Sequence, residues 1–251
     1  MTSSVVRALK MHVRDLVARI FQPEPPQGAV RESQMTTLRQ IDLSCPICSN
    51  RFSSQAVLST NSFGGKRTDF HERAVGAQPL PFFLHMCSRC GYTGCERDFG
   101  DEASVGPVIK EHVWDELAPK LPGGAVSGSD KYEFAAKVAT WQGWEPRRIA
   151  DLLLRAAWCC VDEGDVEAER YFRRQAARAF EQALSTYDGV DRNERAVLTY
   201  LVGELWRRVG NLQMASHWFE QVGTEITNSH AQHWVVDAAR QQRDHPREWF
   251  G

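Results

Sequence analysis

Two C-x-x-C pairs carry the clearest chemistry in the chain. Cys45 and Cys48 lie in "CPICSNRF", and Cys87 and Cys90 lie in "CSRCGY". Two thiolates two residues apart can point inward from one tight turn. Two such turns brought together make a four-sulfur shell at about 2.3 Å from zinc. Pro46 stiffens the first turn. Gly91 follows the last ligand and can take the left-handed backbone that such loops require. The pattern predicts a structural Zn2+ site on Cys45, Cys48, Cys87 and Cys90, with iron as the other metal suited to a sulfur tetrahedron. The 38 residues between the pairs exceed a minimal zinc ribbon and imply an insertion.

Other chemistries compete for the same residues. A redox C-x-x-C belongs at a helix N-terminus after a strand. Here both pairs run into Asn or Gly turns and β-like sequence. A catalytic zinc keeps an open position and usually takes His or carboxylate ligands. His71, His85 and Asp69 are the neighbours that could replace or supplement a cysteine. Cys95 reads as a small residue packed beside the second turn, with a ligand or resolving thiol as the alternative. Cys159 and Cys160 are adjacent in a helical stretch, so they point about 100° apart and read as core residues rather than ligands.

The elements that must position these groups fall into five stretches. Residues 1–21 hold an amphipathic helix over 4–21, with Val6, Leu9, Val13, Leu16, Val17 and Ile20 on one stripe. Its net charge of +3 allows a membrane-surface or partner contact, against the plainer reading of a core-packing helix. Residues 22–35 form a Pro-rich linker. Residues 36–104 form a zinc-ribbon-like unit with short strands expected at 36–43, 55–59, 82–86 and 91–94. Such a unit buries too little to hold itself together without a staple. Residues 105–245 are helical in pattern, with helices expected at 105–118, 130–142, 146–163, 165–187, 191–209, 211–224 and 228–244. Asp165 and Asp191 read as N-caps and Pro146 as a first-turn residue. Residues 246–251 are left as a tail. The fold class is α+β, mostly α: a small β unit followed by an array of antiparallel helices.

Two helical hairpins resemble each other, "LRAAWCCVDEGDVEAERYFRRQA" (154–176) and "YLVGELWRRVGNLQMASHWFEQV" (200–222). Each turns on a Gly-polar pair and continues with an alanine and an aromatic pair. This is a degenerate tetratricopeptide-like pattern, with the two turn glycines 46 residues apart rather than 34. All eight tryptophans fall in the helical part and read as packing or as groove anchors for a peptide. Glu204 sits among Leu201, Val202, Leu205 and Trp206, where a carboxylate needs a partner such as Arg155, Arg207 or Arg208. Arg170, Arg173, Arg174 and Arg178 read as a solvated basic face. His230 and His233 read as surface residues.

Charge and composition narrow the function. Residues 36–106 carry seven Lys/Arg and seven Asp/Glu, and four thiolates with one Zn2+ would add −2. That offers little to a phosphate backbone, so direct nucleic-acid binding is not expected. No run of 18 apolar residues occurs, so no transmembrane helix is expected. The N-terminus lacks a continuous apolar core, which points away from export and toward a reducing cytoplasm, where cysteines serve as ligands or buried thiols.

The combination of "CPICSNRF", Asp69, "CSRCGY" with Asp98-Phe99, "LLLRAAWCCVDEGD" and "YLVGELWRRVGNLQMASHWF" resembles a bacterial family catalogued as domain of unknown function 2225. The resemblance runs from about 36 to 240 and leaves out the helix at 4–21. It implies a zinc-ribbon-like unit joined to tetratricopeptide-like helices, and it implies no activity. The reading that follows is a non-enzymatic zinc-binding scaffold or adaptor that holds a protein or peptide on its helices. The alternatives are a zinc-dependent enzyme with the metal near His71, His85 or Asp69, and a nucleic-acid-associated regulator.

Overall fold

The computed structural model describes residues 35–99, 105–186, 189–226 and 233–250. The helix expected at 4–21, most of the linker and the start of the last helix lie outside these residues. Strands β1 (Thr37–Ser44) and β2 (Arg51–Ser59) form an antiparallel hairpin, and β3 (His85–Met86) and β4 (Thr93–Gly94) form a second, minimal one. The helices are α1 (Pro107–His112), α2 (Gly128–Trp141), α3 (Pro146–Glu163), α4 (Val166–Ser185), α5 (Arg192–Arg208), α6 (Leu212–Gln221) and α7 (His233–Asp244). The architecture is therefore the expected one: a small two-stranded unit followed by a helical array. β2 begins at Arg51 rather than near 55, because the first cysteine turn is itself the hairpin turn and pairing resumes at once, Ser44 opposite Arg51. The run expected as a strand at 82–86 begins instead as a tight helical turn over Leu80–Phe82.

The two similar helical hairpins use one device. Gly164 and Gly210 both adopt a left-handed backbone, at φ +78° and +86°. The next residue returns its N–H to a carbonyl five positions back, Asp165 to Cys160 and Asn211 to Trp206. Its side chain then caps the following helix by accepting from Ala168 N or Met214 N. Asp191 caps α5 in the same manner, through Asn193 N. Short turns of this kind make consecutive helices antiparallel neighbours.

The core does not divide where the composition changes. Phe70, Leu80 and Leu84 from the N-terminal part belong to the apolar cluster of the helices. Val113, Leu117, Phe134 and Val138 from the helical part close over the cysteine turns, together with Ile41 and Leu43 of β1. Residues 246–250 also pack along this arrangement, with Phe250 half-buried. Thr68 N donates to Glu248 O, Phe250 N donates to Lys66 O, and the Phe250 ring stacks on Phe70 at 5.8 Å.

Close packing in the array is concentrated at Gly203 of α5. A Cβ there would stand 2.7 Å from the Phe219 ring of α6. Gly203→Ala gains about 1 kcal/mol of helix propensity, but overpacking costs about 1–3 kcal/mol. We expect a lower urea midpoint for the variant. An unchanged or raised midpoint would show that Phe219 moves aside freely.

Candidate metal centre

The two cysteine turns are built alike. Cys45 N donates to Asn50 O and Ser49 N to Cys45 O, each at 2.9 Å. Cys87 N donates to Tyr92 O and Gly91 N to Cys87 O, again at 2.9 Å. Ser49 and Gly91 occupy the same left-handed position, at φ +56° and +79°. Gly91 has a second constraint, since a Cβ would meet the Phe134 ring at 3.0 Å and Leu117 at 3.1 Å. The second turn is thus pressed directly against the helical part.

The turns bring four sulfurs together. Cys45 Sγ is 3.6 Å from Cys90 Sγ, and Cys48 Sγ is 3.6 Å from Cys87 Sγ. All four lie within 4.8 Å of one another. A tetrahedron with bonds of about 2.3 Å has edges of about 3.8 Å, so the spacing fits a tetrahedral metal ion. Cys45, Cys87 and Cys90 are buried. Backbone N–H groups of Ile47 and Cys48 point at Cys45 Sγ, and those of Arg89 and Cys90 at Cys87 Sγ. Asn50 Nδ2 adds a contact to Cys87 Sγ at 3.7 Å. Donors aimed at sulfur favour the thiolate. Sulfur crowding works against it: the Cys45 thiol is pushed up to about 12, first by its hydrogen bond to Cys87. A divalent cation resolves this conflict by displacing the protons.

The remaining candidates have other partners. Cys95 is half-buried and outside the cluster, and burial pushes its thiol up to about 11. Cys159 and Cys160 are fully buried in α3. His85 Nδ1 hydrogen-bonds Ser54 Oγ at 2.9 Å, and burial first, then the charge of Lys131, lowers its pKa to about 4. His71 stacks flat on Trp158 at 5.3 Å, with Nε2 3.4 Å from Asp162 Oδ2. His233 is exposed, and His230 lies outside the described residues.

Asp69 belongs to a second, purely side-chain centre. Its carboxylate accepts from Arg173 Nη1 at 2.6 Å and from Trp158 Nε1 at 3.1 Å. Neither Asp69 nor Arg173 is exposed to solvent. The expectation of a solvated basic face therefore fails at Arg173, whose guanidinium turns inward to meet a charge 104 residues away. Beside it, buried Glu204 accepts from Arg207 Nε and Arg208 Nε at 2.7 Å and from Thr68 Oγ1 at 2.6 Å. Arg207 and Arg208 are thus its partners, and Arg155 is not. Tyr200 Oη donates to Thr68 O at 2.9 Å. Phe70 holds a left-handed backbone at φ +68°, a conformation costing about 1–2 kcal/mol. Its buried ring, packed on Tyr200 and Phe250, offsets that cost. Sequence reading found Glu204 because a carboxylate interrupts an apolar face. Thr68, Asp162 and the burial of Arg173 carry no such signal.

A four-cysteine knuckle that could hold a metal ion, with its connecting segment held by buried ion pairs onto an antiparallel helical array, defines the class of protein. The chain belongs to the bacterial family described as an uncharacterized protein conserved in bacteria (DUF2225), whose profile matches residues 38–245. No curated protein and no solved structure matches it. Among the described residues, no helix is long and apolar enough to cross a membrane.

The buried ion pair has a pH signature. Burial pushes the Asp69 carboxyl up, but Arg173 and then Arg208 overcome it and hold the group well below the carboxylate range. A lowered folded value gives stability that is complete above the unfolded value of about 3.9 and lost as pH falls below it. Asp69→Asn leaves buried guanidinium charge and should cost about 3–5 kcal/mol at neutral pH. In denaturant titrations its deficit against wild type should shrink below about pH 4. A deficit independent of pH would show that the charge of Asp69 is not what matters.

Proposed function

We propose that the protein is a zinc-stapled, non-enzymatic scaffold that binds a protein or peptide partner through its tetratricopeptide-like helices in a reducing cytoplasm. The four-cysteine cluster carries this reading. Sulfur supplies every position of a tetrahedral shell, which is the composition of a structural rather than a catalytic zinc site. Among the described residues, Asp69, His71 and His85, which an open catalytic shell would need, do not join the four sulfurs; Asp69 and His85 hydrogen-bond other groups, and His71 lies flat on Trp158. Zinc is preferred to iron because a structural staple gains nothing from redox activity, and metal analysis separates the two. X-ray absorption should report four sulfurs at about 2.3 Å. Cys45→Ser or Cys87→Ser should lose the metal and markedly lower the melting temperature of the whole chain. A shell containing nitrogen or water, or variants that keep metal and melting temperature, would overturn the structural assignment.

The partner-binding half of the reading rests on a groove of about 740 Å3 along α4, α5 and α6. Trp218, Met214, His217 and Arg195 line it. Aromatic, Met and Arg side chains are those that anchor partners at interfaces. His217→Glu, at an exposed position of the groove, should abolish capture of a stoichiometric partner by the full chain while leaving its melting temperature near wild type. Equal capture by the variant would place the partner elsewhere.

A further inference from the structure

We propose that the cavity at the seam between the β1–β2 hairpin and the helices binds a small organic carboxylate with an apolar body. The cavity has a volume of about 510 Å3, within the range of about 300–1,000 Å3 typical of small-molecule sites. Val57 of β2, Phe82, Phe83 and Leu84 of the connecting turn, and Tyr132 of α2 form its apolar side, and His85, Glu96, Arg97 and Arg155 its polar side. A wall divided in this way gives affinity through burial on one side and orientation through the polar groups on the other.

The polar group that selects the ligand is Arg155. Among the described residues no carboxylate oxygen stands within 4.0 Å of its guanidinium. Asp151, one turn away on α3, is taken by Arg147. Arg155 is instead directed at Tyr132, whose hydroxyl already donates to Leu80 O at 3.1 Å. Lys131, next to Tyr132, repeats the pattern. Its ammonium donates to Pro81 O at 2.7 Å, lies 6.0 Å from the Phe82 ring centre, and also lacks a carboxylate partner among the described residues. The acid in the lining, Glu96, is neutralised by Arg39 at 2.6 Å. Arg147, Arg173, Arg207 and Arg208 of the helices are each matched by an acid, and Arg148 lies over the Trp144 ring at 4.0 Å. Among the described residues, the seam is therefore where Arg155 and Lys131 stand beside the cavity's apolar side without an acid of their own. A planar guanidinium takes a carboxylate in two parallel hydrogen bonds, and the adjoining aromatic wall takes the ligand's body. The site shares no lining residue with the α4–α6 groove, so it stands apart from the scaffold reading.

Calorimetry on the metal-loaded full chain tests this with octanoate and benzoate against octanamide and benzamide. At least one carboxylate should bind saturably, raise the melting temperature and weaken with added salt. Its amide should bind at least about tenfold more weakly, the loss expected for a charged hydrogen-bonded pair. Arg155→Gln should give the same loss with the metal content unchanged. Val57→Trp, which fills the cavity and leaves the charge, should also abolish binding. Absence of saturable binding up to about 10 mM, equal affinity for acid and amide, or full affinity in either variant would overturn the proposal.

Discussion

A carboxylate and a guanidinium with no exposure to water, Asp69 and Arg173, stand 2.6 Å apart and 104 residues apart in sequence. Much of the architecture serves to keep them together. Two buried charges are tolerable only when each has the other and further hydrogen bonds besides. Trp158 and Glu169 supply those bonds, one to each member. Such a pair adds little net stability over apolar packing, but it admits few alternative arrangements. Segment 66–71 can enter the helical array in one register, with Asp69 at Arg173, Thr68 at Glu204 and Phe70 between Tyr200 and Phe250. A shift by one residue would leave Asp69 without Arg173 and Trp158 in an apolar interior and take Thr68 from Glu204, which would keep only the arginines of its own helix.

The same constraint explains why the chain has no clean division between a β unit and a helical unit. The hairpins are too short to form a core, and β3 and β4 have two residues each. The connecting segment therefore donates its apolar side chains to the helices, and α1 and α2 return Val113, Leu117 and Phe134 to the cysteine turns. Metal binding and helical packing then act on one structure. Free energy from a metal at the knuckle would reach α2 through Gly91, whose missing side chain is what lets Phe134 and Leu117 touch the turn.

How much of this was legible depended on whether the signal was local. The knuckles were readable because C-x-x-C is a local pattern with a chemical reason for its spacing. Helices α3 to α6 were readable because their start signals are local: Pro146 in a first turn, Asp165 and Asp191 as caps, and the Gly-polar turn at 210–211, where Asn211 proves to be the cap. Glu204 was readable as an anomaly in an apolar run, although its partners were not singled out. Arg173 was misread because its helix looks basic on any short window, and only a distant aspartate decides which arginine turns inward. The role of 246–250 escaped for the same reason, since a short terminal stretch gives no hint that the Glu248 carbonyl accepts from Thr68 N and that Phe250 N donates to the Lys66 carbonyl.

The position of the seam cavity follows from these two fixed points. The knuckle holds the chain at 45–48 and 87–91, and the ion-pair plug holds it at 66–71. The segment between plug and knuckle must bridge them along the helices. It does so as a tight turn over Leu80–Phe82, anchored by Tyr132 and Lys131 to the carbonyls of Leu80 and Pro81. Both ends are set by stronger interactions than its own, so it cannot move inward to fill the space beside β2. An unfilled space bordered by Phe83, Leu84 and Arg155 is the geometric remainder of holding one segment at two points.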